Sequence, residues 1–232
     1  VLSSQEWDVL SLSLRVALAS VALVLPPAVA MGWLLARYKF RGKLLVDGIC
    51  HLPLVLPPVV TGYILLLAFG RRGWFGGILD TLGVTLAFDW KGAVLASAVV
   101  AFPLSLRAVR LAIEDVDPRL EGVARTLGAG PWRVFFTVTL RLAAPGLCVG
   151  AMLAFARSLG EFGATITFVA NIAGQTRTIP SAIYTYLNQP AGEDAAIRLV
   201  WISIAVSLAA LLGSEWAARR TRNRRDQQPS PC

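Results

Sequence analysis

The stretch VALASVALVLPPAVAMGWLLA, Val16–Ala36, holds no charged residue over a length that matches a bilayer. A hydrocarbon core about 30 Å thick needs about 20 largely apolar residues in helical form. This run supplies them by itself. It extends back toward Leu10, because Arg15 can snorkel to the outer interface. Pro26-Pro27 lies mid-span, where neighbouring helices can repair the freed backbone groups. No basic n-region precedes the run and no small-residue cleavage site is clear, so it reads as a retained span and not a secretory signal.

Working outward, apolar runs recur at about 48–70, 92–113, 134–157 and 197–216. Of 232 residues, 56% are hydrophobic and only 16% charged, against about 25% charged in soluble domains. The expectation is an all-α polytopic membrane protein: one transmembrane domain over 1–218 with spans at 10–36 and the four runs above, then a basic tail, 219–232. Pro53 and Pro57-Pro58 predict a kink in the second span. Basic segments orient the spans. Arg37, Lys39, Arg41 and Lys43 follow the first; Arg107, Arg110, Arg119, Arg125 and Arg133 cluster around the third-to-fourth connection; Arg219, Arg220, Arg222, Arg224 and Arg225 follow the fifth. All fall on one side, which the positive-inside rule makes cytoplasmic, leaving the N-terminus outside. Leu159–Pro190 is apolar only in patches and holds Glu161, Asn171, Gln175 and Arg177. It reads as partly re-entrant or as packed over the outer mouth of the bundle, and the tail beyond Asn223 as disordered.

Several chemistries are excluded. The net charge of +8 reports basic loops in so hydrophobic a chain, not nucleic-acid binding. Cys50 and Cys148 sit in apolar runs, Cys232 is terminal, and His51 is the only histidine, so no metal site is indicated. No G-x-x-x-x-G-K-[ST] loop is present; the glycines from Gly70 to Gly77 lack a Lys-Ser end and read as an external turn. The chain is therefore no enzyme by itself. Arg157 and Glu161, four apart at the outer end of the fourth span, fit either a place on a permeation path or a structural ion pair.

The connection at about 114–133 is the most informative polar segment. Asp117 suits an N-cap and Pro118 the first helical position. Leu120, Ala124 and Leu127 share one face, Gly128 and Gly130 end the helix, and Pro131 stops continuation. A short amphipathic helix results. It can lie on the membrane or dock in a partner's groove, and its mixed charge and small residues Gly122 and Ala124 favour docking.

This segment resembles the cytoplasmic "EAA" loop of ATP-binding-cassette importer permeases, in which E-A-A and a glycine precede I-x-L-P. With Gly128 as the motif glycine, Val123 and Ala124 take the alanine places and Val138 and Leu140 the Ile and Leu places. Gly122 stands at the strict glutamate position, with Glu121 one residue earlier, and Arg141 replaces the proline. Ala124–Ala129, Trp132–Thr137, Phe155–Ile166, Tyr38–Lys43 and Leu52–Pro58 look like the permease subunits of molybdate importers. Related sulfate permeases tend toward E-Y-G-S where Glu161-Phe162-Gly163-Ala164 stands here.

The resemblance implies an inner-membrane permease for molybdate, or tungstate, that pairs with a second copy of itself. Two separate ATPase subunits would carry ATP and magnesium, with no cofactor on this chain, and a periplasmic binding protein would deliver molybdate. Glu121, Gly122, Val123, Ala124, Arg125, Thr126, Leu127 and Gly128 would form the coupling helix to the ATPase. Arg157 and Glu161 are candidates for the pathway or gate. A sulfate or other oxyanion permease is the alternative. A secondary transporter would need acidic groups at span centres and inverted repeats, neither of which is visible.

Overall fold

The computed structural model describes residues 3–190 and 192–226, with side chains as far as residue 213. The described residues contain helices and connections but no strand. The first helix, α1 (Ser4–Arg37), opens on a capping box in which Ser3 Oγ accepts from the Glu6 amide and Glu6 takes the Ser3 amide. Pro26 and Pro27 are both accommodated inside it. At about 1.5 Å per residue α1 is about 51 Å long, more than a bilayer core requires.

The second run is not one helix. It forms α2 (Lys43–Val55) and α3 (Pro58–Phe69), bent by 111°. Proline chemistry explains the break. Pro57 and Pro58 bring no amide hydrogen, and a residue before proline is pushed from helical to extended backbone. Leu56 accordingly has ψ 140°, and Pro58 starts α3 at its first turn. Neither piece alone spans about 30 Å. α2 buries no residue, whereas α3 buries Thr61, Gly62 and Leu65.

A short helix, α4 (Gly76–Thr81), leads to α5 (Trp90–Glu114), the central element. Its small residues permit close approach. An ideal Cβ on Gly32 of α1 would lie 3.2 Å from Val109 Cγ1, close to the α5 backbone at Arg110. From the other side come Gly150, whose Cβ would lie 3.0 Å from Val109, and Gly146, whose Cβ would lie 2.0 Å from Ala112 Cβ. Small residues at helix contacts are how membrane helices gain dispersion energy when apolar burial offers no gradient. After α6 (Pro118–Thr126) and α7 (Pro131–Val134) comes a π-helical turn at Phe135–Thr139, continuing into α8 (Leu140–Leu159). The helices α1, α5 and α8 form one packed unit around Val24, Ala28, Leu35, Ala101, Leu106 and Ala154.

Leu159–Pro190 is built into the body. It forms α9 (Gly163–Val169) and α10 (Ile179–Leu187). Ala164, Phe168 and Val169 join Val16, Leu65, Ala93 and Val100 in one core. α10 packs on Val9, Leu10 and Leu199. Side chains tie down the backbone here: Thr176 Oγ1 accepts from the Ile172 amide (2.9 Å), and at the start of α10 Ser13 Oγ of α1 accepts from the Ile179 amide (2.8 Å).

The last helix, α11 (Glu193–Asp226), carries the fifth run. It continues to Asp226, so Arg219 to Arg225 of the basic tail lie on this helix. The rest of the tail, 227–232, lies outside the described residues. Buried Glu6 accepts from Arg198 Nε at 2.9 Å, closing α11 onto the start of α1.

Among the described residues four helices are long and apolar enough to cross a membrane, Ser4–Arg37, Trp90–Glu114, Pro131–Leu159 and Glu193–Gly213, and the count is five if the bent α2–α3 pair is one span. Leu44, Leu45, Ile49 and Val55 on α2, and Trp201, Leu208, Leu211 and Leu212 on α11, are exposed. So much apolar surface suits lipid or partner chains, not water.

Candidate functional site

The predicted capped helix is present as α6. Asp117 Oδ1 accepts from the Arg119 amide at 2.9 Å, and Pro118 follows at the position where a missing N–H costs nothing. At the other end Gly128 has φ +83°, the left-handed region that a Cβ disfavours. The Ala129 amide donates to Ala124 O and the Gly128 amide to Arg125 O, the paired bonds of a Schellman stop. Sequence thus specifies a helix of fixed length at a fixed place.

Its faces differ from the expectation in one respect. Leu120, Val123 and Leu127 are exposed, Leu127 by 82%, while Ala124 is partly covered. Arg119, Gly122, Arg125 and Thr126 are also exposed, and a Cβ on Gly122 would meet nothing within 4 Å. The outward apolar stripe therefore runs through Val123. Glu121 belongs to the opposite face and is buried.

Glu121 sits at a junction of four segments. Its Oε1 accepts from Arg37 Nε (3.1 Å) and Nη2 (2.9 Å) at the end of α1, and from Thr139 Oγ1 (2.8 Å) at the end of the π-turn. Arg37 Nη2 also donates to Val116 O (2.8 Å), in the turn that leads into α6. Charge-assisted bonds of this kind are stronger than neutral ones, and burial keeps water from competing. Beside the junction lie Trp33, Tyr38, Trp132, Phe135 and Phe136, linked by ring contacts with centroid distances of 5.0–6.5 Å.

Arg157 and Glu161 do pair, Nη1 to Oε2 at 2.6 Å, with the Glu161 side chain 1% exposed. Glu161 Oε1 also accepts from the Ala164 amide at 2.8 Å and so holds the first turn of α9. This geometry gives the pair a structural task, joining α8 to α9. It lies near the opposite end of α8 from Thr139, roughly 27 Å away along the axis. His51 Nδ1 contacts Asp47 O at 2.8 Å, and Asp47 pairs with Arg110, fixing α2 to α5. Among the described residues no group of His, Cys, Asp or Glu could hold a metal. Sequence reading missed Arg37 and Thr139 as members of the α6 junction.

The family described as "Binding-protein-dependent transport system inner membrane component" matches residues 28–223, which include α6 together with Arg37 and Thr139. The chain belongs to that family. The permease is 59% identical over 225 residues to "Molybdenum transport system permease protein ModB" of Escherichia coli (strain K12), covering 97% of this chain and 98% of the relative. The protein of the same name in Haemophilus influenzae is 54% identical over 223 residues, covering 96% and 97%. Among solved structures, a bacterial ABC transporter involved in importing the acidic polysaccharide alginate superposes with a TM-score of 0.75. It covers 94% of this permease and 80% of that chain at 18% identity, a likeness of fold.

Proposed function

We propose that this chain is the membrane-spanning subunit of an ATP-driven molybdate importer, and that α6 is its contact with a separate ATPase. The observation that carries the substrate is the 59% identity, over nearly both full lengths, to a molybdenum transport permease. Reading α6 as the docking element rests on its exposed Leu120, Val123 and Leu127. An amphipathic helix with unpartnered apolar residues suits a groove in another protein.

In this reading two copies of the chain enclose the path and two ATPase subunits bind below, each carrying ATP and magnesium. A periplasmic binding protein delivers molybdate to the outer mouth. The N-terminus is periplasmic and the basic end of α11 cytoplasmic. Nucleotide binding closes the ATPases, α6 moves with them, and the packed helices alternate between two rigid arrangements. This chain contributes positioning and a path; the bond-breaking chemistry belongs to its partners.

The test is ATP hydrolysis by the reconstituted complex with binding protein loaded with molybdate or with sulfate. Stimulation by the molybdate-loaded protein, about fivefold or more on the scale usual for coupled sites, is the expected result. Stimulation by sulfate-loaded protein alone would keep the permease and overturn the substrate.

A further inference from the structure

Of the nine residues of α6, Glu121 alone is buried. The exit from the helix is Gly128-Ala129-Gly130, where neither glycine has an atom within 4 Å of its would-be Cβ. Besides the chain itself, which runs on into α7, a force on the exposed face of α6 reaches the membrane body through the Glu121 side chain and through the turn before Asp117.

Both routes converge on one residue. Arg37 holds Glu121 Oε1 with Nε and Nη2, and holds the turn at Val116 O with the same Nη2. Thr139 braces that Glu121 oxygen from the start of α8. The Arg37 and Glu121 side chains are only 15% and 8% exposed. Separating them would strand charges out of water, so the contact persists when α6 is pulled. Behind Arg37, α1 is locked to α5 at Gly32, and α5 to α8 at Gly146 and Gly150. Packed elements of this kind move as units instead of deforming.

We propose that Arg37, seconded by Thr139, is a positioning residue that makes α6 and the α1–α5–α8 unit one lever, so that the ATPase stroke is converted into transport. Arg37 touches neither substrate nor nucleotide in this scheme; it acts through Glu121. The inference rests on α6 being the ATPase contact.

The experiment compares native, Arg37→Ala, Arg37→Lys and Thr139→Val permeases, each reconstituted with the ATPase and molybdate-loaded binding protein. Three readouts are taken: ATPase retained on purification, basal ATP hydrolysis, and molybdate transported per ATP hydrolysed. Arg37→Ala is expected to retain the ATPase and to hydrolyse ATP within about twofold of native, while transport per ATP falls about tenfold or more, a usual coupling magnitude. Arg37→Lys, with its charge but no fork, is expected to recover part of the loss. An unchanged ratio in Arg37→Ala overturns the proposal. So does a loss of hydrolysis and transport in equal proportion, which is what general damage produces. If Arg37→Ala does not assemble, Thr139→Val decides. It keeps the shape and removes one donor, and its transport per ATP must fall at unchanged hydrolysis. A native permease that never retains the ATPase overturns the docking reading and this lever with it. A native complex that transports, alongside variants with unaltered ratio, overturns the lever alone.

Discussion

Aspartate in place of Val123 is expected to strip the permease of its ATPase while leaving the membrane fold intact. Val123 is 57% exposed on α6 and belongs to none of the buried core clusters. Valine and aspartate also have similar helix propensities. In a docked complex the same position would meet an apolar groove, where an unpaired carboxylate costs about 2 kcal/mol or more, enough to weaken binding about thirtyfold. Co-purification of the ATPase and its stimulated hydrolysis should both collapse, with an unchanged melting temperature for the permease alone. Retention of the ATPase at native levels would place the docking surface elsewhere.

Valine at Gly146 is expected to produce the largest loss of stability. Even a methyl group there would lie 2.0 Å from Ala112 Cβ, so α5 and α8 must separate. Overpacking of a tight contact costs about 1–3 kcal/mol, and the second branch of valine puts this case at the upper end or above. Thermal unfolding in detergent should fall by several degrees or the chain should fail to purify as a single species. Two controls locate the cause. Alanine at Gly48, which has nothing within 4 Å, should be neutral or stabilise by up to about 1 kcal/mol. Gly146→Ala should regain stability when combined with Ala112→Gly, since the clash is with that one methyl group. Native melting of Gly146→Val would contradict the packing described for this unit.

How legible these features are in sequence follows from how local their causes are. The long spans are readable because lipid demands an unbroken apolar helix, and Val16–Ala36 meets that demand alone. The caps of α6 are equally local: Asp117, Pro118 and Gly128 each act within a few residues. Pro57-Pro58 announces a break, yet the 111° bend depends on how α3 packs against α9 around Gly62 and Ala164. Leu159–Pro190 resists reading because its polar groups are satisfied from afar; Ser13 and Ile179 are 166 positions apart. The burial of Glu121 is hidden for the same reason. An acidic residue on a short amphipathic helix normally points to water, and only the fold brings Arg37, 84 positions away, beside it. What the resemblance to molybdate permeases implies about function and partners goes beyond anything the periodicity of these helices could supply.

The most direct test of the account is uptake into proteoliposomes containing this chain and its ATPase, with ATP sealed inside and binding protein outside. The account predicts that molybdate accumulates against its gradient only when hydrolysable ATP is present and the binding protein is loaded. Accumulation that ignores ATP and follows an ion gradient, or sulfate uptake without molybdate uptake, would contradict it.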